Sequence, residues 1–223
     1  MIVITPYVDV QPFDGVELAK KIERAGRVCY KSEEKIGKDT YENFIRRIIR
    51  SGHESVLEHE KITVKIICDR GVSHEIVRHR IAAYSQESTR YCNYSADRFQ
   101  NNITFIEPFF FYTDEGYQLW EKACQHAEET YLEMLRCGFS PQEARSVLPN
   151  SLKTEIVVTY NLREWRHFFE LRAEHTAHPQ MQQIAIPLLL FFKDHIPCLF
   201  DDIDFNRDFS SKYYADVRWA MFE

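Results

Sequence analysis

Two hydrophobic periods alternate along the chain. KITVKIICD, residues 61–69, sets Ile62, Val64, Ile66 and Cys68 against Thr63, Lys65, Ile67 and Asp69. That two-residue period predicts a strand with one well-buried face. KTEIVVTYN predicts a second strand over 153–161, IVITPYVDV a strand at the N-terminus, and NNITFIEPFFF an extended segment. Between them the period lengthens to that of a helix. DGVELAKKIERAG opens with Asp14 three residues before Glu17, a capping pattern, and ends at Gly26. DTYENFIRRIIRSG puts Phe44, Ile45, Ile48 and Ile49 on one stripe and stops at Gly52. The clearest helix is DEGYQLWEKACQHAEETYLEMLRCG, whose stripe is Tyr117, Trp120, Cys124, Ala127, Tyr131 and Met134. SPQEARSVLP has Ser140, Pro141 and Glu143 in capping order, and NLREWRHFFELRAEH repeats the spacing with Asn161 and Glu164. PQMQQIAIPLLLFFKDHIP continues as a helix with a kink expected at Pro187. A turn at Asp69–Gly71 leads to Ser73, the expected N-cap of a short helix reaching Arg78. The acidic, aromatic tail gains no assignment. Strands and helices mix without a regular βαβ rhythm. The expected fold is therefore α+β, one domain over residues 1–223, with a mixed or antiparallel sheet, several helices and no Rossmann fold.

Composition narrows the function. The 223 residues, 44% of them hydrophobic, are enough for one sizeable core. A net charge of −6 argues against general nucleic-acid binding, which needs a basic face. No lysine or arginine precedes the first apolar run, so no secretory signal is expected. The longest apolar run, IAIPLLLFF, is nine residues, too short to span a bilayer. A soluble, cytoplasmic protein is expected, without membrane contact. Six cysteines, none in a C-x-x-C pair, read as reduced thiols that are mostly buried.

The chemistry concentrates in RHRIAAYSQESTRY, residues 78–91, with three arginines and three aliphatic hydroxyls in fourteen positions. Guanidinium forks grip phosphate and carboxylate through paired hydrogen bonds. The seven glycines are too scattered for G-x-G-x-x-G or a P-loop, so any bound nucleotide must be held by side chains. Arg78, His79 and Arg80 cannot all face one ligand. On a helix the two arginines diverge, and on a strand His79 opposes them. They serve two ligands or two sites at a subunit boundary, or else form a solvated patch paired with Glu75 and Glu87. Ser88 is a hydrogen-bonding hydroxyl or, with a base, a nucleophile. HESVLEH and SHEIVRH suggest a zincin, but their histidines are six and five apart, where H-E-x-x-H needs four. His175 and His178 lack a third ligand, so no metal is expected. Arg163 and His167 share a helix face, and Arg172 falls on the apolar stripe of Trp165 and Phe169. A cation there must be paired or near a ligand.

Together, Arg78-His79-Arg80, seven residues and then Ser88, followed by Arg90 and Tyr91, resemble the signature of the flavin-dependent thymidylate synthases. HESVLEH upstream, and ARSVLP and NLREWRHFFELR downstream, resemble other segments of that family in order and spacing. The resemblance implies reductive methylation of dUMP to dTMP, with methylenetetrahydrofolate as carbon donor and FAD reduced by NADPH as hydride source. It implies a homotetramer whose sites are shared between subunits. By motif position, Ser55, Arg78, His79, Arg80, Gln86, Asn161, Arg163 and His167 would line the FAD site. Glu75, Arg78, Glu87, Ser88, Arg90, Arg145 and Arg172 would hold dUMP, with Arg172 polarising the uracil in place of a cysteine adduct. Glu75 stands where a glutamine can occur, Gln86 where an acid can occur and His167 where an asparagine can occur. Each keeps hydrogen-bonding capacity while changing charge or donor count. The alternative is a non-enzymatic nucleotide- or RNA-binding module built on the same arginines. The net acidic charge weighs against it.

Overall fold

In the computed structural model, whose described residues are 1–94, 102–111 and 113–220, Pro6 divides the N-terminal apolar run in two. Proline has no N–H to give a ladder, and strands β1 (Ile2–Ile4) and β2 (Tyr7–Val10) go to different sheets. The remaining strands are β3 (Lys61–Asp69), β4 (Ala82–Gln86), β5 (Thr104–Ile106), β6 (Lys153–Asn161) and β7 (Asp216–Trp219). The helices are α1 (Gly15–Val28), α2 (Thr40–Arg50), α3 (Arg70–Ile76), α4 (Asp114–Arg136), α5 (Pro141–Ala144), α6 (Leu162–Arg172), α7 (Pro179–His195) and α8 (Pro197–Phe200). β1 pairs in parallel with β5, Ile2 opposite Thr104 and Ile4 opposite Ile106. The other five strands form a sheet of order β4-β6-β3-β2-β7, a mixture of helix and sheet without the doubly wound order of a dinucleotide fold. The tail, unassigned from sequence, supplies edge strand β7. Asn101, the first residue of the expected NNITFIEPFFF segment, lies outside the described residues, and the strand within that segment is β5.

The chain divides into two compact units. One comprises residues 1–7, 66–78 and 85–156, the other 8–65, 79–84 and 157–223, so β2, β3, β4 and β6 each give residues to both. The first unit packs Ile103, Phe105, Cys124, Tyr131 and Leu152 around the inner face of α4. Thr113 caps that helix, its Oγ1 accepting from the Gly116 N–H. The N-terminal ammonium lies 2.8 Å from the Glu128 carboxylate. Asp69, not Ser73, caps α3: its Oδ1 accepts from the Val72 N–H at 2.8 Å. Ser73 sits a turn later, buried, with its hydroxyl donating to the Arg70 carbonyl. The expected cap was one turn too far along because either residue fits the preference for a short polar side chain. The helix stops at Ile76, before the arginine-rich stretch.

The second unit has an aromatic core of Trp165, Phe168, Phe169, Phe192 and Phe200, all fully buried. Each such ring contributes about 1.5–3 kcal/mol through its burial. The one polar atom of Trp165 is satisfied by donating to the Ile62 carbonyl at 3.0 Å, which ties α6 to β3. Pro187 lies inside α7. α1 crosses α2 at Gly26, where a Cβ would stand 2.6 Å from the Phe44 ring, so only glycine permits the approach. Gly52, at φ +69°, closes α2. The following His53 N–H bonds back to the Ile48 carbonyl at 2.9 Å, a left-handed cap that turns the chain toward Ser55. No helix among the described residues is long and apolar enough to cross a membrane. Cys68, Cys124 and Cys198 are buried, but Cys29 and Cys137 are exposed, so the expectation of mostly buried thiols holds for half of them.

Candidate active site

β6 passes straight into α6, and Asn161 serves both elements. Its Oδ1 accepts from the Glu164 N–H at 2.8 Å. The cap expected at this spacing forms, but the Glu164 carboxylate is used elsewhere. Its Oε1 lies 2.8 Å from Nδ1 of His79, and both residues are buried, at 7% and 4% exposure. On the far side of the ring, Arg172 donates from Nε to His79 Nε2 at 3.2 Å. A guanidinium can only donate, so Nε2 must offer its lone pair. The ring proton then sits on Nδ1 and is given to Glu164. Burial is the largest influence on His79 and lowers its pKa. The Glu164 hydrogen bond pulls the pKa up, the Arg172 charge pushes it down again, and the net direction is downward. At neutral pH His79 is a neutral imidazole with one tautomer imposed from both ends.

The surroundings hold that ring still. The Tyr84 hydroxyl donates to the His79 carbonyl, and the Tyr160 hydroxyl stands 2.8 Å from that of Tyr84. Burial raises the Tyr160 pKa, so it stays protonated and donates to Tyr84. Phe168 and His167 meet the imidazole at centroid distances of 5.1 and 5.5 Å. Arg78 and Arg80, on either side of it, are exposed. The triplet is thus split as an extended chain splits it, histidine inward and arginines outward. Arg172, the last residue of α6, is half-buried and finds its acceptor in His79, as a cation at an apolar-stripe position must.

Two adjoining cavities lie in the same unit. One, of about 410 Å³, is lined by Asn161, Arg163, Glu164 and His167 together with Glu58 and Ile81. The other, of about 400 Å³, is lined by His53, Ser55 and Tyr30. Glu54 and Arg163 border both. Arg163 donates to Glu58 Oε1 at 2.6 Å and lies 3.7 Å from Glu54. Ser55, Asn161, Arg163 and His167, from two distant segments, therefore meet on one pair of cavities.

Another group meets in the first unit. Ser88 Oγ accepts from the Arg90 N–H at 3.3 Å. Arg90 is exposed, its Nε donating to Gln142 at 3.1 Å, and its guanidinium lies 5.3 Å from the centre of the Tyr91 ring. Arg145, also exposed, reaches Thr89 Oγ1 at 3.4 Å. Ser88, Arg90 and Arg145 thus surround one turn. Glu87 faces Lys153 at 3.0 Å and accepts from the Tyr94 hydroxyl at 3.1 Å. Gln86 gives its amide to Ser73 and Thr154 at 2.9 and 3.1 Å. Glu75 is half-buried on α3. Glu87 and Gln86 therefore both carry contacts within the chain.

His79, Glu164 and His167 bring ligand-type atoms within 4.8 Å of one another. His79 Nδ1 is bonded to Glu164 directly, and the Arg172 cation sits on its other nitrogen, which disfavours a second positive charge. Glu164, His79 and Arg172 form a hydrogen-bonded relay, which His167 meets by a ring contact. Sequence reasoning missed Glu164, Tyr84 and Tyr160. Glu164 reads in the sequence only as the capping-box partner of Asn161, and only the fold brings His79 to it across 85 residues.

A family described as thymidylate synthase complementing protein matches residues 16–198. The chain belongs to this family. A flavin-dependent thymidylate synthase of Pyrococcus abyssi is 39% identical over 181 residues, covering 80% of this chain and 73% of that protein. One from Geobacter sulfurreducens is 36% identical over 185 residues, covering 80% and 78%. Among solved structures, the UMP/dUMP methylase PolB of Streptomyces cacaoi, bound with 5-Br dUMP, has the same fold, with a TM-score of 0.75 at 22% identity over 90% of this chain and 96% of that one. The segments that carry the resemblance to the flavin-dependent thymidylate synthases, from HESVLEH to NLREWRHFFELR, all lie within the matched residues.

Proposed function

We propose that the protein is a flavin-dependent thymidylate synthase that methylates dUMP to dTMP and works as one catalytic domain in the cytoplasm. The observation that carries this reading is the meeting of Ser55, Asn161, Arg163 and His167 on adjoining cavities, with Glu164 linking that wall through His79 to Arg172. The fit to FAD rests on donors: Arg163 presents a guanidinium, His167 an imidazole and Ser55 a hydroxyl to the cavities, and exposed Arg78 and Arg80 can meet phosphates without a glycine loop. When bound, FAD supplies the redox chemistry, taking a hydride from NADPH for the one-carbon unit of methylenetetrahydrofolate.

The chain's own residues bind and polarise. Ser88, Arg90 and Arg145 hold the phosphate of dUMP, and Glu75, Arg78 and Glu87 complete its contacts in a homotetramer whose sites draw on more than one copy. Arg172 lies at the N3–O2 edge of the uracil and stabilises the charge that gathers there as C5 becomes nucleophilic. His79 takes the Arg172 Nε, so contact with the base falls to the Nη groups. Because Glu164 keeps the ring proton on Nδ1, His79 accepts from Arg172 without competing for the base. No thiol adduct is required, and burial pushes Cys124 and Cys198 up to about 11 and 12, far from a reactive thiolate.

Purified protein should show the visible absorbance of bound flavin. NADPH should bleach it, and dUMP with methylenetetrahydrofolate should then yield dTMP by chromatography. A flavin-loaded protein that forms no dTMP under these conditions refutes the reading.

A further inference from the structure

A third cavity, of about 380 Å³, adjoins the one that holds Ser55 and shares Tyr30, Phe44, Ile48 and His53 with it. Its wall carries Arg27, Lys35 and Arg47 and no carboxylate. On a chain of net charge −6, that is a local reversal of sign. Arg27 is neutralised by Glu23, whose Oε1 stands 2.6 Å from its Nη2. The other oxygen of Glu23 is taken by the Thr40 hydroxyl at 2.9 Å. Lys35 and Arg47 are exposed and have no ion-pair partner among the described residues. Phe44 carries two guanidinium groups on its ring, Arg27 at 4.7 Å and Arg47 at 5.6 Å. Gly26 packs against that ring and fixes its position. A rigid aromatic platform that gathers cations beside a cavity is preorganised for an anion, because less side-chain freedom is lost on binding.

We infer that this basic cavity seats the anionic tail of a co-substrate whose reactive end meets the flavin beside the neighbouring Ser55 cavity. The inference rests on the reading of that neighbour as part of the flavin site. The shared chemistry is an anionic extension remote from the reacting atoms: a run of γ-linked glutamate carboxylates on the folate, or the 2′-phosphate of the pyridine nucleotide. Lys35 and Arg47 contribute separate positive charges, which suits a run of carboxylates.

The test uses flavin-loaded native protein and the double variant Lys35→Gln/Arg47→Gln, whose substituted side chains are exposed and outside the core. KM is measured for methylenetetrahydrofolate as the monoglutamate and as the pentaglutamate, and for NADPH and NADH. The expected result is a pentaglutamate KM roughly ten-fold below the monoglutamate value in the native protein, an advantage of the size a few partly exposed ion pairs supply. The variant loses most of that advantage while kcat and the monoglutamate KM hold. Collapse of the NADPH-over-NADH preference instead assigns the cavity to the 2′-phosphate. If the variant leaves both ratios unchanged, the inference is overturned. If neither protein makes dTMP, the reading of the activity has failed, and calorimetric titration with folate pentaglutamate still compares the native cavity with the altered one.

Discussion

Glu164→Gln isolates the relay that sets Arg172. The substitution keeps the shape of the side chain and removes its charge. A glutamine can turn either its carbonyl or its amide toward His79 Nδ1, now 2.8 Å from the carboxylate. When the amide faces the ring, the imidazole proton moves to Nε2, and the Arg172 Nε–H at 3.2 Å meets another donor. A hydrogen bond involving a charged group is worth about 1.5–3 kcal/mol. At about 1.36 kcal/mol per decade, its loss from the transition state lowers kcat by roughly 10–150-fold. The measurement is kcat and KM for dTMP formation across pH, beside flavin content read from visible absorbance. Expected is a lower kcat with flavin retained. The acid limb of the profile should also move to lower pH, because the carboxylate that pulls the His79 pKa upward is gone. A role in packing alone would leave that limb where it is. A kcat within about two-fold of native, with an unmoved acid limb, would falsify the relay.

The same imidazole should make stability pH-dependent. Its folded pKa lies below the ordinary 6.5, so on acidification the unfolded chain takes the proton first. This contribution is intact above pH 6.5 and is lost as pH falls below it, so the melting temperature of native protein should drop over that range more than that of His79→Gln, and parallel curves would contradict the assignment. Arg90→Ala and Arg145→Ala should each raise the KM for dUMP by about ten-fold or more, as loss of a charge-assisted phosphate contact does. Equal dUMP affinity in both would move the phosphate elsewhere. Ser88→Ala should keep measurable turnover; complete loss with dUMP binding intact would make Ser88 a nucleophile. Trp165→Ala should cost about 3–5 kcal/mol, read as a lowered urea midpoint with an unchanged slope.

The regular elements were legible where a single period ran its full length. β3 and β6 span the residues that their alternation predicts, 61–69 and 153–161: β6 buries one face and leaves the other partly solvated throughout, and β3 does so up to Lys65, beyond which both faces are buried. The capped starts at Asp14, Ser140 and Asn161 are equally local, since a short polar side chain needs only the next turn of backbone to bond. What failed to show was long-range. IVITPYVDV reads as one strand because its apolar content is continuous, and the missing N–H of Pro6 matters only once two sheets compete for the segment. The tail has no period to read, since β7 is an edge strand of four residues with exposed side chains at both ends.

The site was legible as a set of residue types but not as a division of labour among arginines. Arg163 and Arg166 are three apart on α6, and sequence cannot rank them. In the fold, Arg166 is buried, forks onto Asp202 at 2.7 and 2.8 Å and binds the Leu199 carbonyl, so it is a strut between α6 and the segment after α8. Arg163, one helical turn earlier, is exposed and borders both cavities. Arg27 is likewise consumed by Glu23, while Arg47, packed on the same Phe44 ring, is not. A guanidinium is expensive to pull away from its carboxylate when either partner is buried, as Arg166 and Glu23 are, because a desolvated charge would be left unpaired. One held by exposed carboxylates, or by an aromatic face alone, can exchange those partners for a ligand anion at little cost. The arginines able to replace a glycine phosphate loop are therefore the ones the fold leaves loosely paired at the surface, and that distinction lies in the burial of each ion pair, which no spacing along the chain encodes.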